Sequence, residues 1–428
     1  MRYLALTDKD RQEMMQVINI ANIDELYDAV DSSILLKKPI ADLPNHQGEI
    51  EIDAFMTTLA SKNRAASQGA FFLGAGCYKH HIPAAVDHLI QRSEFLTSYT
   101  PYQPEISQGT LAVIFQFQSI IALLTGMTAA NASMYDGATS LAEACLMAFR
   151  IKKGRNKIAL AGKIHPDYVA VGKTFIDFAA AKFCAIDEAD TNVAAVVVQY
   201  PDFYGDIADL AKIRAKADEI GALMIVVVNE IVALGLLEAP KMADIVVGEA
   251  SSLGVGLNFG GPLLGFFARK KEFVRQMPGR ICGVTTDADG KPGYVLTLNA
   301  REQHIRREKA TSNICSNQGL CATAFTIHAS LLGENGMKKL ALINHKKACD
   351  FAKILDEVKG VKLLNDSFFN EFTIALNKDA SIVNKKLLEK NIIGGFADGN
   401  KMVVAVSELT SEDDMKKFAQ ELEKILNQ

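Results

Sequence analysis

Several features that would place this chain in a class at once are missing from it. No apolar run approaches the roughly 20 residues that span a bilayer. The opening stretch, MRYLALTDKDRQEMM, carries no apolar core of a secretory leader, so a cytoplasmic location is expected. Charge of one sign is also lacking: 46 Lys and Arg face 50 Asp and Glu, for a net charge of −4. That balance gives no broad attraction to nucleic acid or to an anionic membrane, and neither is expected as a partner. The seven cysteines are scattered and odd in number, which fits reduced, mostly buried thiols better than a disulfide frame or a zinc site. His80, His81 and His88 have no cysteine or carboxylate at ligand spacing, so no metal is expected. There is no internal repeat and no low-complexity segment. One absence is local. From Ile245 to Ala268 there is no Lys, Arg, His or Cys, and the only charge is Glu249.

What is present is the composition of an ordinary folded protein, with 49% hydrophobic and 22% charged residues over 428 positions. That length suits two or three domains. Residues 1–70 read as a helical arm that packs on another subunit or on the main domain. Thr7 stands before Asp8 and Asp10 as a helix cap, and Ile23–Ala29 and Glu51–Arg64 read as further amphipathic helices. Residues 71–300 read as a large α/β domain. Short apolar runs at Lys157–Ala161, Ala181–Ala185, Ala194–Gln199, Ala222–Val228, Ile245–Val247 and Leu263–Phe267 alternate with helical stretches. This pattern predicts a mainly parallel sheet covered on both faces, with ligands at the carboxyl ends of its strands. The loops at Tyr200, Asn229 and Gly248 should converge there with the small-residue turn Asp136–Ser140, an ordinary cap or a phosphate-type turn. Residues 301–428 read as a linker helix and a small α+β domain. Thr311–Asn313 is expected to cap a helix Cys315–Leu332, Gly336–Val358 to be helical, and Thr410–Asp413 to form a capping box.

Two loops are rich in chemically able side chains. One is FFLGAGCYKHHIP, Phe71–Pro83. The other is SEFLTSYTPYQPEISQG, Ser93–Gly109, with Tyr99, Tyr102, Glu105 and Gln108. The second suits a binding surface better than a core.

A turn of phosphate type, a parallel sheet and a small C-terminal domain together resemble the fold-type I pyridoxal-phosphate enzymes. The motifs GAGCYKHHIP, TSYTPYQPEISQGTL, ANASMYDGAT, ADIVVGEASSLG, NFGGPLLGFFA and REQHIRREKATSNIC are narrower. They resemble the glycine decarboxylase P-protein family, and within it the subunit that forms the N-terminal half where the protein is split in two. The resemblance implies an α/β fold-type I large domain on a seven-stranded type of sheet, with a helical arm and a C-terminal α+β domain. It also implies a reaction. Glycine is decarboxylated on pyridoxal phosphate, and the aminomethyl group passes to the lipoyl arm of H-protein. The second half-chain carries the cofactor lysine, and the assembly is α2β2.

A pyridoxal-phosphate enzyme needs a Schiff-base lysine and normally an acid against the ring nitrogen. The lysine should lie ahead of Gly260–Gly261–Pro262, but Gly248 to Phe259 contains none. The acid should follow the strand MIVVV. Asn229 stands there, and the next residue, Glu230, would face away if the strand continued. Near the last strand, where an Arg for a substrate carboxylate is often found in this fold type, Ser407 and Glu408 stand instead. No cofactor bonded to this chain is therefore expected; it belongs to the partner. His165, at a ring-stacking position, and the Asp136 turn read as remnants. Tyr99, Tyr102, Glu105 and Gln108 are expected to line the partner's glycine pocket or lipoyl tunnel, with the Gly74–His81 loop behind them. Thr311 and Ser312 are expected at the partner's cofactor phosphate. For each, interface packing is the alternative. For the whole chain the alternatives are a non-catalytic scaffold that docks H-protein, or a stand-alone enzyme using Lys241 or Lys270.

Overall fold

Strands with no polar face need cover on both sides. All residues of Val193–Gln199 and Leu223–Val228 are buried in the computed structural model, which describes residues 6–428 except 37, 39, 45 and 97. These strands sit at the centre of a seven-stranded sheet. Its order is Ala129–Ala130, Gly265–Arg269, Ile245–Glu249, Leu223–Val228, Val193–Gln199, Lys157–Ala161 and Lys182–Ala185. The last five of these are mutually parallel, and the first two join antiparallel. Alternate side chains divide between two cores, as strand geometry requires. Val196, Val198, Val226 and Val246 pack with Phe117, Ile121 and Phe325. Val197, Ile225, Val227 and Ile245 pack with Leu141, Met147 and Tyr168.

The helix Gln108–Thr125 is the one described helix long and apolar enough to cross a membrane by length and composition. Leu111, Ile114, Phe117 and Ile121 on it are buried in the protein's own cores. A hairpin, Ile281–Thr286 with Pro292–Thr297, lies against this helix.

The C-terminal part has a four-stranded antiparallel sheet, ordered Val361–Leu363, Glu371–Leu376, Lys401–Ala405 and Phe396–Asp398. Its core stacks Phe72 on Phe351 at 4.9 Å between ring centroids. Ala70–Phe71 pairs in parallel with Ile392–Ile393, so the chain enters this part before it builds the large sheet. The expected helices on either side of residues 333–335 are present as Gly319–Asp356, broken at Gly333, whose φ of 59° lies in the left-handed region.

The chain divides into Met1–Arg64 and Ala65–Gln428. The first unit has helices Asp8–Ile18 and Glu49–Ala60, and no described residue of it is buried. Thr7 caps the first helix through a capping box with Asp10.

Three sequence expectations need correction. Ile23–Ala29 is a short 3-10 turn, Ile23–Tyr27, too short to present an amphipathic face. The C-terminal capping box is Ser411 with Asp414, because Thr410 turns its hydroxyl to accept from the Ser407 N–H. Thr311–Asn313 caps no helix. The long helix starts at Gly319, and Ser312 instead accepts from the Ile314 N–H.

Candidate active site

The helix Gly137–Ile151 starts at the carboxyl end of the sheet, with Asp136 as its cap. Its free N–H groups and dipole favour an anion, and Glu249 supplies one. Gly137 N donates to Glu249 Oε2 at 3.1 Å, Leu264 N to Oε1 at 2.7 Å, and the Ser251 N–H and hydroxyl also donate to Oε1. Burial pushes the Glu249 carboxyl up, and these donors oppose it. Thr139 N turns back to Asp136 Oδ1. The turns at Asp136 and Gly248 thus converge as expected, but a carboxylate of this chain takes the place of an external anion.

The strand Leu223–Val228 ends where the acid partner of a cofactor ring would stand. There the buried Asn229 accepts from the Tyr168 hydroxyl at 2.8 Å. The loop Gly74–Cys77 lies over this position. A Cβ added to Gly76 would stand 3.2 Å from Asn229 Nδ2 and 3.5 Å from His165 Nε2. His165 Nε2 is 3.2 Å from the Ala75 carbonyl, and the ring packs on Tyr168 and Phe203. Its Nδ1 accepts from Asp167 N, so His165 caps the next helix. Burial lowers its pKa. Instead of standing behind a wall, the Gly74–His81 loop enters the crevice of its own chain.

A buried charge network ties that loop down. His80 Nε2 meets Glu230 at 3.0 Å and Nδ1 meets Glu408 at 2.9 Å. Glu230 does not face away, because the strand stops at Val228 and a 3-10 turn follows; it also accepts from Ser252 and the Val232 N–H. Burial pushes the His80 pKa down, but the two carboxylates outweigh it and hold it at about 10. Burial likewise raises Glu408, and His80 more than offsets this, leaving it at about 2. Beside them Glu371 accepts from Tyr78 and from Ala75 N; burial, with Glu230 and Asp202, pushes it up to about 7. Sequence reading missed this network. The available signal was an acid two residues after each apolar run, in MIVVVNE and MVVAVSE, since a carboxylate so placed needs a partner.

The predicted residues lie elsewhere. Tyr99 and Tyr102 are 79% and 75% exposed, and Glu105 is exposed. The Tyr99 hydroxyl is 3.2 Å from Ser316 Oγ. The backbone N–H groups of Cys315 and Ser316 donate to the Tyr135 hydroxyl. The 311–318 segment and the tyrosine loop therefore meet at one edge. Gln108 is already engaged: its amide Nε2 donates to the Pro104 and Tyr294 carbonyls, and Oε1 accepts from Tyr294 N. Ser407 donates to the Lys79 carbonyl. Lys270 pairs with Asp244 at 2.9 Å. Asp244 precedes the strand Ile245–Glu249, so Lys241 and Lys270 lie at its amino end, about 17 Å of strand from the crevice. No group of acids, histidines or cysteines that could hold a metal occurs among the described residues.

A parallel-rich seven-stranded sheet with this small C-terminal sheet defines the fold of fold-type I pyridoxal-phosphate enzymes. Glutamate decarboxylase of Lactobacillus brevis shares it, with a TM-score of 0.68 at 14% identity over 92% of this chain and 96% of that one. A crystal structure of glycine decarboxylase (P-protein) of the glycine cleavage system, in inhibitor-bound form, matches at a TM-score of 0.92 and 39% identity over 100% of both chains. The family model of the glycine cleavage system P-protein matches residues 1–422. Probable glycine dehydrogenase (decarboxylating) subunit 1 of Erythrobacter litoralis is 51% identical, and that of Maricaulis maris 50%, each over 100% of both chains. This chain belongs to the glycine cleavage system P-protein family.

Pyridoxal phosphate, which the fold class implies, does not fit this crevice. Glu249 holds the donors that a phosphate would need. The Gly74–Cys77 loop and the Tyr168–Asn229 pair take the space over the strand end. No lysine lies between Gly248 and Phe259.

Proposed function

We propose that this chain is the cofactor-free subunit of a two-chain glycine decarboxylase, and that it completes the active site of a second, lysine-bearing chain. The observation that carries this reading is the crevice closed by the chain's own Glu249 and Gly74–Cys77 loop. A member of a decarboxylase family with a closed crevice has to work through a surface. Pyridoxal phosphate is assigned to the second chain, glycine and lipoylated H-protein are the substrates, and the site of action is the cytoplasm.

The groups on offer are at the tyrosine-loop edge. Tyr99 and Tyr102 present hydroxyls that a neutral pocket can use, and Glu105 gains proton-transfer ability once a partner surface removes it from water. Thr311 and Ser312 lie on the segment that Tyr135 anchors next to Tyr99 and are assigned to the partner's cofactor phosphate. Gln108 acts as a positioning residue, since its amide fixes the loop's end to the hairpin at Tyr294.

The test is glycine–bicarbonate exchange with the second chain and H-protein present. Tyr99→Phe, Tyr102→Phe and Glu105→Gln should each lower kcat by about ten- to a hundredfold if they touch the reacting centre. The full hydrogen-bond use of Gln108 favours a second reading, a scaffold that only docks H-protein; unchanged exchange in all three variants would leave that one. This chain alone, given pyridoxal phosphate and borohydride, should retain no covalently bound cofactor.

A further inference from the structure

A cleft of about 560 Å³ opens between the helices Gly137–Ile151 and Pro166–Asp177 and the 303–313 segment. Its volume is in the range of small-molecule sites. Leu146, Phe175 and Phe178 make an apolar wall, and Phe178 is 92% exposed at the lip. Glu143 also lines the cleft. Its side chain is 1% exposed, and neither carboxylate oxygen has a hydrogen-bond partner.

That isolation is unusual, because a buried carboxylate is normally paired. The nearby cations bond elsewhere. Arg150, two turns along the same helix face, donates to the Gln276 carbonyl, and Arg301 donates to the Met277 and Gly279 carbonyls. Ser312, on the cleft wall next to Glu143, accepts from Ile314 N through its hydroxyl oxygen, and burial pushes the Glu143 carboxyl up, with the Ser312 hydroxyl and the Arg150 charge offsetting only part of that push. Arg307 and Glu308, both exposed, add opposite charges to the lining that sum to zero. An anion would meet the buried carboxylate with repulsion, and a neutral apolar group would leave its oxygens unbonded.

We propose that this cleft binds an organic cation on an apolar stem, an alkylammonium or alkylguanidinium group, whose charge is taken by Glu143. The stem lies along Leu146, Phe175 and Phe178, and the head reaches the carboxylate when the Ser312 side chain turns aside. The cleft and its carboxylate carry this assignment by themselves; only the second of its two sources rests on the two-chain reading. The cation has two sources, a free amine or guanidine compound, or a Lys or Arg side chain of the second subunit.

Saturation-transfer NMR on the full-length chain tests it, with n-butylguanidinium as probe and its neutral isostere n-butylurea as control. Butylguanidinium should bind about ten- to a hundredfold more tightly than butylurea, as expected for a charge-assisted pair. Glu143→Gln should abolish that preference, and Phe178→Ala should weaken both compounds. Circular dichroism establishes that each variant is folded. Equal binding of the two probes by the wild type, or an undiminished preference in Glu143→Gln, would overturn the proposal. With the second chain added, loss of probe binding assigns the cation to a side chain of that chain, and retained binding assigns it to a free ligand.

Discussion

Replacing His80 by Leu removes the imidazole that bridges Glu230 and Glu408. The side chains of the three residues are 1%, 3% and 15% exposed, so water replaces little of what is lost. Removing one partner of a buried ion pair costs about 3–5 kcal/mol, because a charge is left uncompensated. The Glu408 titration gives a similar figure. Released from about 2 to its ordinary 4.5, that carboxyl forfeits about 3 kcal/mol. The pH dependence has a definite sign on each side. The Glu408 contribution is present above 4.5 and is lost as pH falls through about 2. The His80 contribution is complete below 6.5 and is lost as pH rises through about 10. Wild type and variant should therefore differ most between pH 4.5 and 6.5 and converge on both sides. Urea unfolding followed by far-UV circular dichroism measures this, since the chain has no Trp to report by fluorescence. Adding Glu408→Gln to the variant should recover part of the loss by removing one orphaned charge. A difference below about 1 kcal/mol, the value of an exposed pair, or one that does not vary with pH, would refute the role given to this network.

Three further outcomes follow from the same geometry. Gly137→Ala should destabilise by about 1–3 kcal/mol or more, because the new Cβ would stand 2.1 Å from the Tyr168 hydroxyl and 3.0 Å from the Gly248 backbone; thermal unfolding checks it. Glu371 is protonated in the fold up to about 7 but only to 4.5 when unfolded, so its burial lowers stability by about 3 kcal/mol as pH rises across that window. Glu371→Gln can still accept from Ala75 N and donate to Tyr78, and above pH 7 it should be more stable than wild type in urea titrations; a variant with the wild-type pH slope would contradict this. Deleting residues 1–64 should leave the melting temperature of the remaining unit within a few degrees, because the deleted part contributes no buried side chain among its described residues. The deletion should weaken association with the proposed second chain, read by sedimentation, since Val17, Ile34, Leu36, Ile50 and Phe55 stand exposed on it.

The sequence by itself determined six of the seven strands of the large sheet to within about two residues at their ends; the two-residue edge strand Ala129–Ala130 is too short to show a pattern. Runs such as MIVVV and AAVVVQ hold their information locally: consecutive β-branched residues bounded by turn formers suit a strand buried on both faces. It also determined that no lysine stands between Gly248 and Phe259, since an absence from a segment needs no fold to read. Caps were less legible. A hydroxyl residue three positions before an acid occurs at both Thr410 and Ser411, and only the backbone path selects Ser411. Tertiary structure alone decided how the crevice is closed. His80 meets Glu230 and Glu408 across 150 and 328 residues, and Glu249 meets Gly137 across 112. Glu230 reads as facing away only if strand alternation continues two residues past Val228, where the strand in fact ends and Glu230 caps a 3-10 turn. Local pattern fixes which residues form a strand. Which distant loop neutralises the carboxylates at its end depends on the packing of the whole domain.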